Sequence, residues 1–216
     1  MALRAVVFDV GDTLFSEERA WAAWASWIGV EERELSAALG ATIERRGDHR
    51  SAFELLRPGF EMQREVAARA AAGVPDDPCA LYDLHADARP ALERLRGAGL
   101  RVGVAANQPA RVEPLVRDLL EDSELVGISE VWGLAKPDPR FFARIAAELE
   151  LEPAEIAYVG DRVDNDVMPA VAAGMVAVLI RRGPWGIVQA GWPEAMHARI
   201  RADSLEHAAD RLVALA

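Results

Sequence analysis

The chain has 216 residues, 51% of them hydrophobic, and a formal net charge of −11. That is enough for one large domain, or for one domain with an insert. The acidic balance excludes a surface that tracks nucleic-acid phosphates, and no apolar run approaches the roughly 18 residues of a membrane span.

The stretch MALRAVVFDV reads as a strand and not as a secretory leader, and Cys79, the lone cysteine, has no partner for an internal disulfide. Both features point to the cytoplasm. Cys79 lies in PDDPCALY, without metal-ligand spacing, and reads as an inert thiol.

Residues 4–9 form a short, valine-rich strand that ends on Asp9. Residues 17–73 then change character. SEERAWAAWASWIGV, EERELSAALGATIERR and EMQREVAARAAAG place apolar residues at helical spacing, and Trp21, Trp24 and Trp27 recur as a packing stripe. From about residue 87 strands and helices alternate. DARPALERLRGAG is a helix stopped by Gly99, LRVGVAAN a buried strand and PARVEPLVRDLLE a helix. GISEVWGL reads as a short extended segment. DPRFFARIAAELE is a helix capped by Asp138 with Pro139 in its first turn. IAYVGD is a strand ending on Asp161, DVMPAVAAG a helix, MVAVLIR a strand and SLEHAADRLVAL a closing helix.

This alternation predicts an α/β fold, a doubly wound Rossmann-like parallel sheet, interrupted after its first strand by a helical insert. The core comprises residues 1–16 and 81–216, and the insert, a cap over the strand ends, residues 17–80. Ligands of such sheets bind at the carboxyl ends of the strands. Asp9, Asn107 and Asp161 terminate strands, and Lys136 follows the extended segment. Lys136 is also the only lysine among 24 basic residues, as expected where a compact ammonium is required and a guanidinium is not equivalent.

If these ends converge, Asp9, Asp161 and Asp166, with Asp164 nearby, crowd carboxylates that need a cation. An oxygen-only ligand set favours magnesium. Magnesium, a carboxylate and an ammonium together describe a phosphoryl-transfer site.

The segments FDVGDTL, VAAN, LAKPDPRFF and YVGDRVDNDVMPAVAAGM resemble the four motifs of the haloacid dehalogenase superfamily, in order, with residues 17–80 in the place of a helical C1-type cap. The resemblance implies a hydrolase in which Asp9 is the nucleophile and a magnesium ligand. It further implies that Asp161, Asp166 and the Gly11 carbonyl complete the ligand set, and that Lys136 holds the nucleophile and the transferring phosphoryl group. Most superfamily members are phosphatases, which implies a small phosphorylated metabolite as substrate.

Two departures from that pattern fall on the chemistry. Phosphatases carry a second aspartate, the general acid/base, two residues after the nucleophile. Here that position is Gly11 and the acid is displaced to Asp12, which serves as acid/base if the loop turns it inward and otherwise stabilises the turn. A serine or threonine normally binds the phosphoryl oxygen from the second motif. Here Ala106 stands there, leaving Asn107 as a substitute donor. Restoring the missing acid by Gly11→Asp is expected to help poor leaving groups.

Two alternatives follow. One is a protein of this fold that binds metal and phosphate with little turnover. The other is a haloacid dehalogenase, which also lacks the second acid but uses no metal. His49, His85, His197 and His207 read as surface or packing residues, Arg45, Arg46 and Arg50 as a solvated face, and Arg181, Arg182 and Trp185 as edge residues near the site. The residues do not choose between monomer and homodimer.

Overall fold

The computed structural model of the protein describes residues 2–74, 78–121 and 124–216. The side chains of Pro78 and Cys79 are also outside the described set, and the expectation for Cys79 falls there.

Eight strands are present among the described residues: β1 (Ala5–Phe8), β2 (Phe15–Ser16), β3 (Asp83–Leu84), β4 (Arg101–Ala106), β5 (Leu125–Ile128), β6 (Ile156–Gly160), β7 (Val176–Ile180) and β8 (Ile200–Ala202). Six of them form one sheet in the order β5-β4-β1-β6-β7-β8, and every neighbouring pair is parallel. The chain reverses direction across the sheet between β4 and β6, on either side of β1. The carboxyl end of β1 therefore lies at the switch point where such sheets bind ligands.

Both sheet faces are covered, which is why the strands are apolar throughout. Val6 and Phe8 of β1 enter one cluster with Leu92, Leu95, Leu205 and Leu212. Ala5 and Val7 enter the opposite one with Phe141, Phe142, Ile145 and Val167. The period-two alternation of a strand thus sends successive side chains of AVVF to opposite faces.

Between β2 and β3, which pair antiparallel, lie helices Glu18–Ile28, Glu32–Glu44, Arg50–Leu56 and Met62–Ala71. They share their own apolar cluster of Ala25, Leu35, Leu39, Ala52, Phe53 and Phe60, with Trp21 and Trp24 against it. The tryptophan stripe divides. Trp24 stands edge-on to Phe53 and Phe60, and Trp27 donates its Nε1–H to Glu65 at 2.8 Å. Trp21 faces Trp185 of the core across a centroid distance of 5.7 Å.

Several elements differ from the expectation, among them the strands Phe15–Ser16 and Asp83–Leu84 and the helix Arg50–Leu56. The extended segment lies upstream, at Leu125–Ile128, and SEVW is a helical turn closed by Gly133 at φ 63°. Lys136 therefore follows a turn and not a strand. β8 was not expected, because three residues carry too little alternation to be recognised. The helix Gly183–Gln189, behind the punctuation of GPWG, is also new. It packs on the helix Glu32–Glu44.

Candidate active site

The loop after β1 folds around one carbonyl. The backbone N–H groups of Thr13, Leu14 and Phe15 all point at Val10 O, at 3.4, 3.0 and 3.0 Å. Asp12 takes a left-handed conformation, φ 48°, which a short polar side chain tolerates better than most residues. Asp9 is thereby left at the strand end, facing a cavity of about 250 Å³. Asp12, Glu17, Trp21, Asn107, Lys136 and Asp161 share this cavity, with Gly11, His49, Gln108, Arg162, Asn165 and Trp185 completing its wall.

Lys136 is buried and bridges two carboxylates, its Nζ lying 2.7 Å from Asp9 Oδ1 and 2.6 Å from Asp166 Oδ1. Burial pulls the ammonium down, but Asp166 and Asp9 outweigh it and hold it well above its ordinary value. Asn107 sets the place of this lysine. Its side-chain amide donates to Lys136 O at 2.8 Å, and its Oδ1 accepts Lys136 N–H at 2.7 Å. The amide expected to substitute for a phosphate donor is therefore engaged with the Lys136 backbone. Ala106 is fully buried in the sheet core and, among the described residues, is not part of the cavity wall. Its methyl packs in the apolar cluster that holds Val104 and Ile128.

Asp166 is held from two sides. Its Oδ2 accepts Arg162 N–H at 2.9 Å while Oδ1 meets Lys136. Gly160 makes room for it, since a Cβ at that position would lie 2.6 Å from Asp166 Cβ. Asp164 turns away instead, to the Arg162 guanidinium at 2.9 Å.

Among the described residues, Asp9, Asp161 and Asp166 present carboxylate oxygens within 4.8 Å of one another. Burial and then the neighbouring charges of Asp166, Asp9 and Asp12 push Asp161 well above the usual carboxylate range. Burial likewise raises Asp166 to about 6, against the opposing pull of Lys136. Three buried carboxylates against one ammonium leave negative charge unbalanced, and an oxygen-only trio suits a hard divalent cation such as magnesium.

Asp12 lines the same cavity as Asp9. Its carboxyl packs against Gly183, where a Cβ would lie 2.5 Å from Asp12 Cβ, and its Oδ1 accepts the Glu17 N–H at 3.2 Å. Burial lifts it to about 6. The residue that sequence reasoning missed is Glu17. Burial, then the charge of Asp12, lifts its carboxyl to about 7, while hydrogen bonds from Tyr82 and Gln108 oppose the rise. His49 was also missed. It lies edge-on to Trp185 at 5.7 Å, and burial lowers its pKa. No local pattern marks a loop histidine of the insert as a cavity residue.

Other edge residues tie elements together. Arg46 lies over the Trp192 ring at 4.2 Å and donates to Glu194 at 2.9 Å, joining insert to core. Arg182 pairs with Asp87, and Arg181 with Asp203 at 2.6 Å. No helix among the described residues is long and apolar enough to cross a membrane.

A family model of haloacid dehalogenase-like hydrolases matches residues 3–174. Over 200 residues the chain is 35% identical to a glyceraldehyde 3-phosphate phosphatase of Methanopyrus kandleri, covering 85% of this chain and 86% of that one. The crystal structure of a phosphatase of the same superfamily from Thermococcus onnurineus superposes with a TM-score of 0.58 at 22% identity, covering 97% and 98% of the two chains. A 2-haloacid dehalogenase from Pseudomonas syringae also superposes at 0.58, with 20% identity and 98% of each chain covered. These two structures share the fold. With four-fifths of its length matched by the family model and its motif carboxylates and lysine gathered at one strand edge, the chain belongs to the haloacid dehalogenase-like hydrolases.

Proposed function

We propose that the protein is a magnesium-dependent phosphatase of a small phosphorylated metabolite, working through an aspartyl-phosphate on Asp9. The observation that carries this reading is the convergence of Asp9, Asp161 and Asp166 on one point, with Lys136 joining two of them. A dehalogenase has no need of that carboxylate trio, so the trio favours the phosphatase over it.

The carboxylates of Asp9, Asp161 and Asp166 and the Gly11 carbonyl would hold the cation, which supplies charge neutralisation at the phosphoryl oxygens. Asp9 directs its free oxygen at phosphorus, and its carboxylate becomes the acyl phosphate. Lys136 fixes the other oxygen of Asp9 and adds positive charge beside the transferring group. Asn107 fixes Lys136 through its backbone. Trp21, His49 and Trp185 form part of the cavity wall.

The relative from Methanopyrus kandleri makes glyceraldehyde 3-phosphate the first substrate to try, within a panel of phosphate esters that includes p-nitrophenyl phosphate. Turnover that requires magnesium and disappears in Asp9→Asn is the expected result. Tight magnesium binding with no turnover on any ester would replace this reading with a binding or regulatory role. Metal-independent halide release from 2-haloacids would replace it with a dehalogenase.

A further inference from the structure

Gly11 stands where phosphatases of this family place their proton-transferring aspartate, and the space beside it is not empty. A Cβ built on Gly11 would fall on the Glu17 carboxylate, 2.8 Å from its Cδ. Glu17 is the residue that precedes helix Glu18–Ile28, where a carboxylate ordinarily caps the first N–H groups. It makes no such bond. Its side chain turns back over Gly11 into the wall of the cavity that holds Asp9. Gln108 shares that wall, and Tyr82 lines an adjoining cavity with Glu17. The Glu17 backbone is fixed independently by Asp12.

We infer that Glu17 is the general acid and base of this enzyme, supplying from the first residue of the insert the carboxyl that Gly11 lacks. The inference rests on the phosphatase reading above. In the first half-reaction an Asp9 oxygen bonds phosphorus as the bond from phosphorus to the leaving oxygen breaks. Glu17 gives its proton to that oxygen, releasing an alcohol and leaving Glu17 ionised. In the second, the oxygen of a water bonds phosphorus as the acyl-phosphate bond to Asp9 breaks. Glu17 takes the water proton, and inorganic phosphate leaves with Asp9 ionised and Glu17 protonated again.

Two other groups compete for this role. Asp12 packs on Gly183 with one oxygen bonded to Glu17 N–H. His49 belongs to the cavity wall, against Trp185 and 3.4 Å from Asp48. Glu17 fills the volume that a side chain at position 11 would use. It stands beside β2 and Tyr82 beside β3, so the paired ribbon brings both to one cavity.

The test uses the full chain with magnesium and two substrates, an alkyl phosphate whose leaving oxygen needs a proton and p-nitrophenyl phosphate whose leaving oxygen does not. Glu17→Gln is expected to lose about 10²–10⁴-fold in kcat on the alkyl ester. On p-nitrophenyl phosphate it should give a burst of one nitrophenolate per enzyme followed by slow turnover, because the phosphoenzyme forms but is not hydrolysed. Glu17→Ala should be impaired in the same way, and Gly11→Asp added to Glu17→Ala should recover at least about tenfold on the alkyl ester, which a merely structural role would not allow. Alkyl turnover unchanged in Glu17→Gln, or an equal loss on both esters without a burst, overturns the assignment while wild-type activity and its loss in Asp9→Asn leave the phosphatase reading standing. A wild-type protein inactive on every ester overturns both.

Discussion

Asp12 holds Glu17. The Oδ1 atom of Asp12 accepts the Glu17 backbone N–H at 3.2 Å, and the Glu17 carboxyl turns back over Gly11. The second aspartate of FDVGDTL therefore anchors the chain at the point where the core hands over to the insert. Asp12→Ala removes that acceptor and puts alanine at a left-handed φ, together about 1–3 kcal/mol. It should lower alkyl-phosphate turnover by displacing Glu17 while leaving more activity than Asp9→Ala. Asp12→Asn keeps an acceptor and tolerates the backbone, so it should cost less on both counts. Denaturant titrations alongside kcat/KM check this. Loss in Asp12→Asn as complete as in Asp9→Ala, with the fold intact, would return Asp12 to the chemistry.

Gly11→Asp alone should bring no gain on alkyl esters, contrary to what FDVGDTL suggests when read by itself. A side chain at position 11 must displace the Glu17 carboxylate, so two acids compete for one volume. Kinetics of this variant beside wild type decide it, and a clear rise in alkyl-ester kcat would show the space to be open.

Lys136 offsets two buried carboxylates, so its removal costs more than a lost contact. Lys136→Met leaves Asp9 and Asp166 unpaired in the interior, a change worth about 3–5 kcal/mol. In chelator the variant should unfold at much lower denaturant than wild type. Lys136→Arg should not restore it, because a guanidinium fork has no room between two oxygens 2.7 and 2.6 Å from one nitrogen. Stability equal to wild type in Lys136→Met would contradict the pairing.

Much of this site was legible in the chain. Asp9 and Asp161 follow apolar strands, and a lone lysine among arginines drew notice to Lys136. Those signals survive because strand ends and residue types are local properties. Asn107 was legible as a site residue but not as the clamp on Lys136, since the two are brought together only by the fold. Glu17, in SEERAWAAWASWIGV, has the sequence context of a helix start. An acid missing at position 11 and another just before the insert was a signal, but nothing local says that a capping residue declines to cap. The helix Gly183–Gln189 was hidden by Pro184 and Gly186, because turn residues here stand inside the helix. Its packing on the insert, which stabilises it, is a tertiary effect.

Magnesium should stabilise the folded protein, by about 2.7 kcal/mol at a hundred times its dissociation constant. Asp161→Asn should lose most of that increment. In chelator, however, the same variant should be at least as stable as wild type, because it relieves like-charge crowding among Asp9, Asp161 and Asp166. Thermal unfolding with magnesium and with chelator reads both effects without any assay of activity. An Asp161→Asn shift equal to that of wild type would remove Asp161 from the ligand set.

Asp87 predicts an acid-sensitive joint away from the site. Its Oδ2 accepts from the Arg182 guanidinium and from Leu205 N–H at 2.9 Å, linking the start of helix Ala88–Gly97, the end of β7 and the start of helix Leu205–Val213. Burial would raise its pKa, but the bonds from Arg182 and Leu205 outweigh it and the net shift is downward from 3.8. A carboxyl depressed on folding adds stability that is fully present above its unfolded pKa and is lost as pH falls through the folded one. Wild type should therefore exceed Asp87→Asn by about 1.5–3 kcal/mol at neutral pH, the usual worth of hydrogen bonds to a charged group. The gap should stay constant down to about pH 5 and close only below 3.8. Urea titrations of the two proteins across that range test the sign, and a gap that widened toward low pH would refute it.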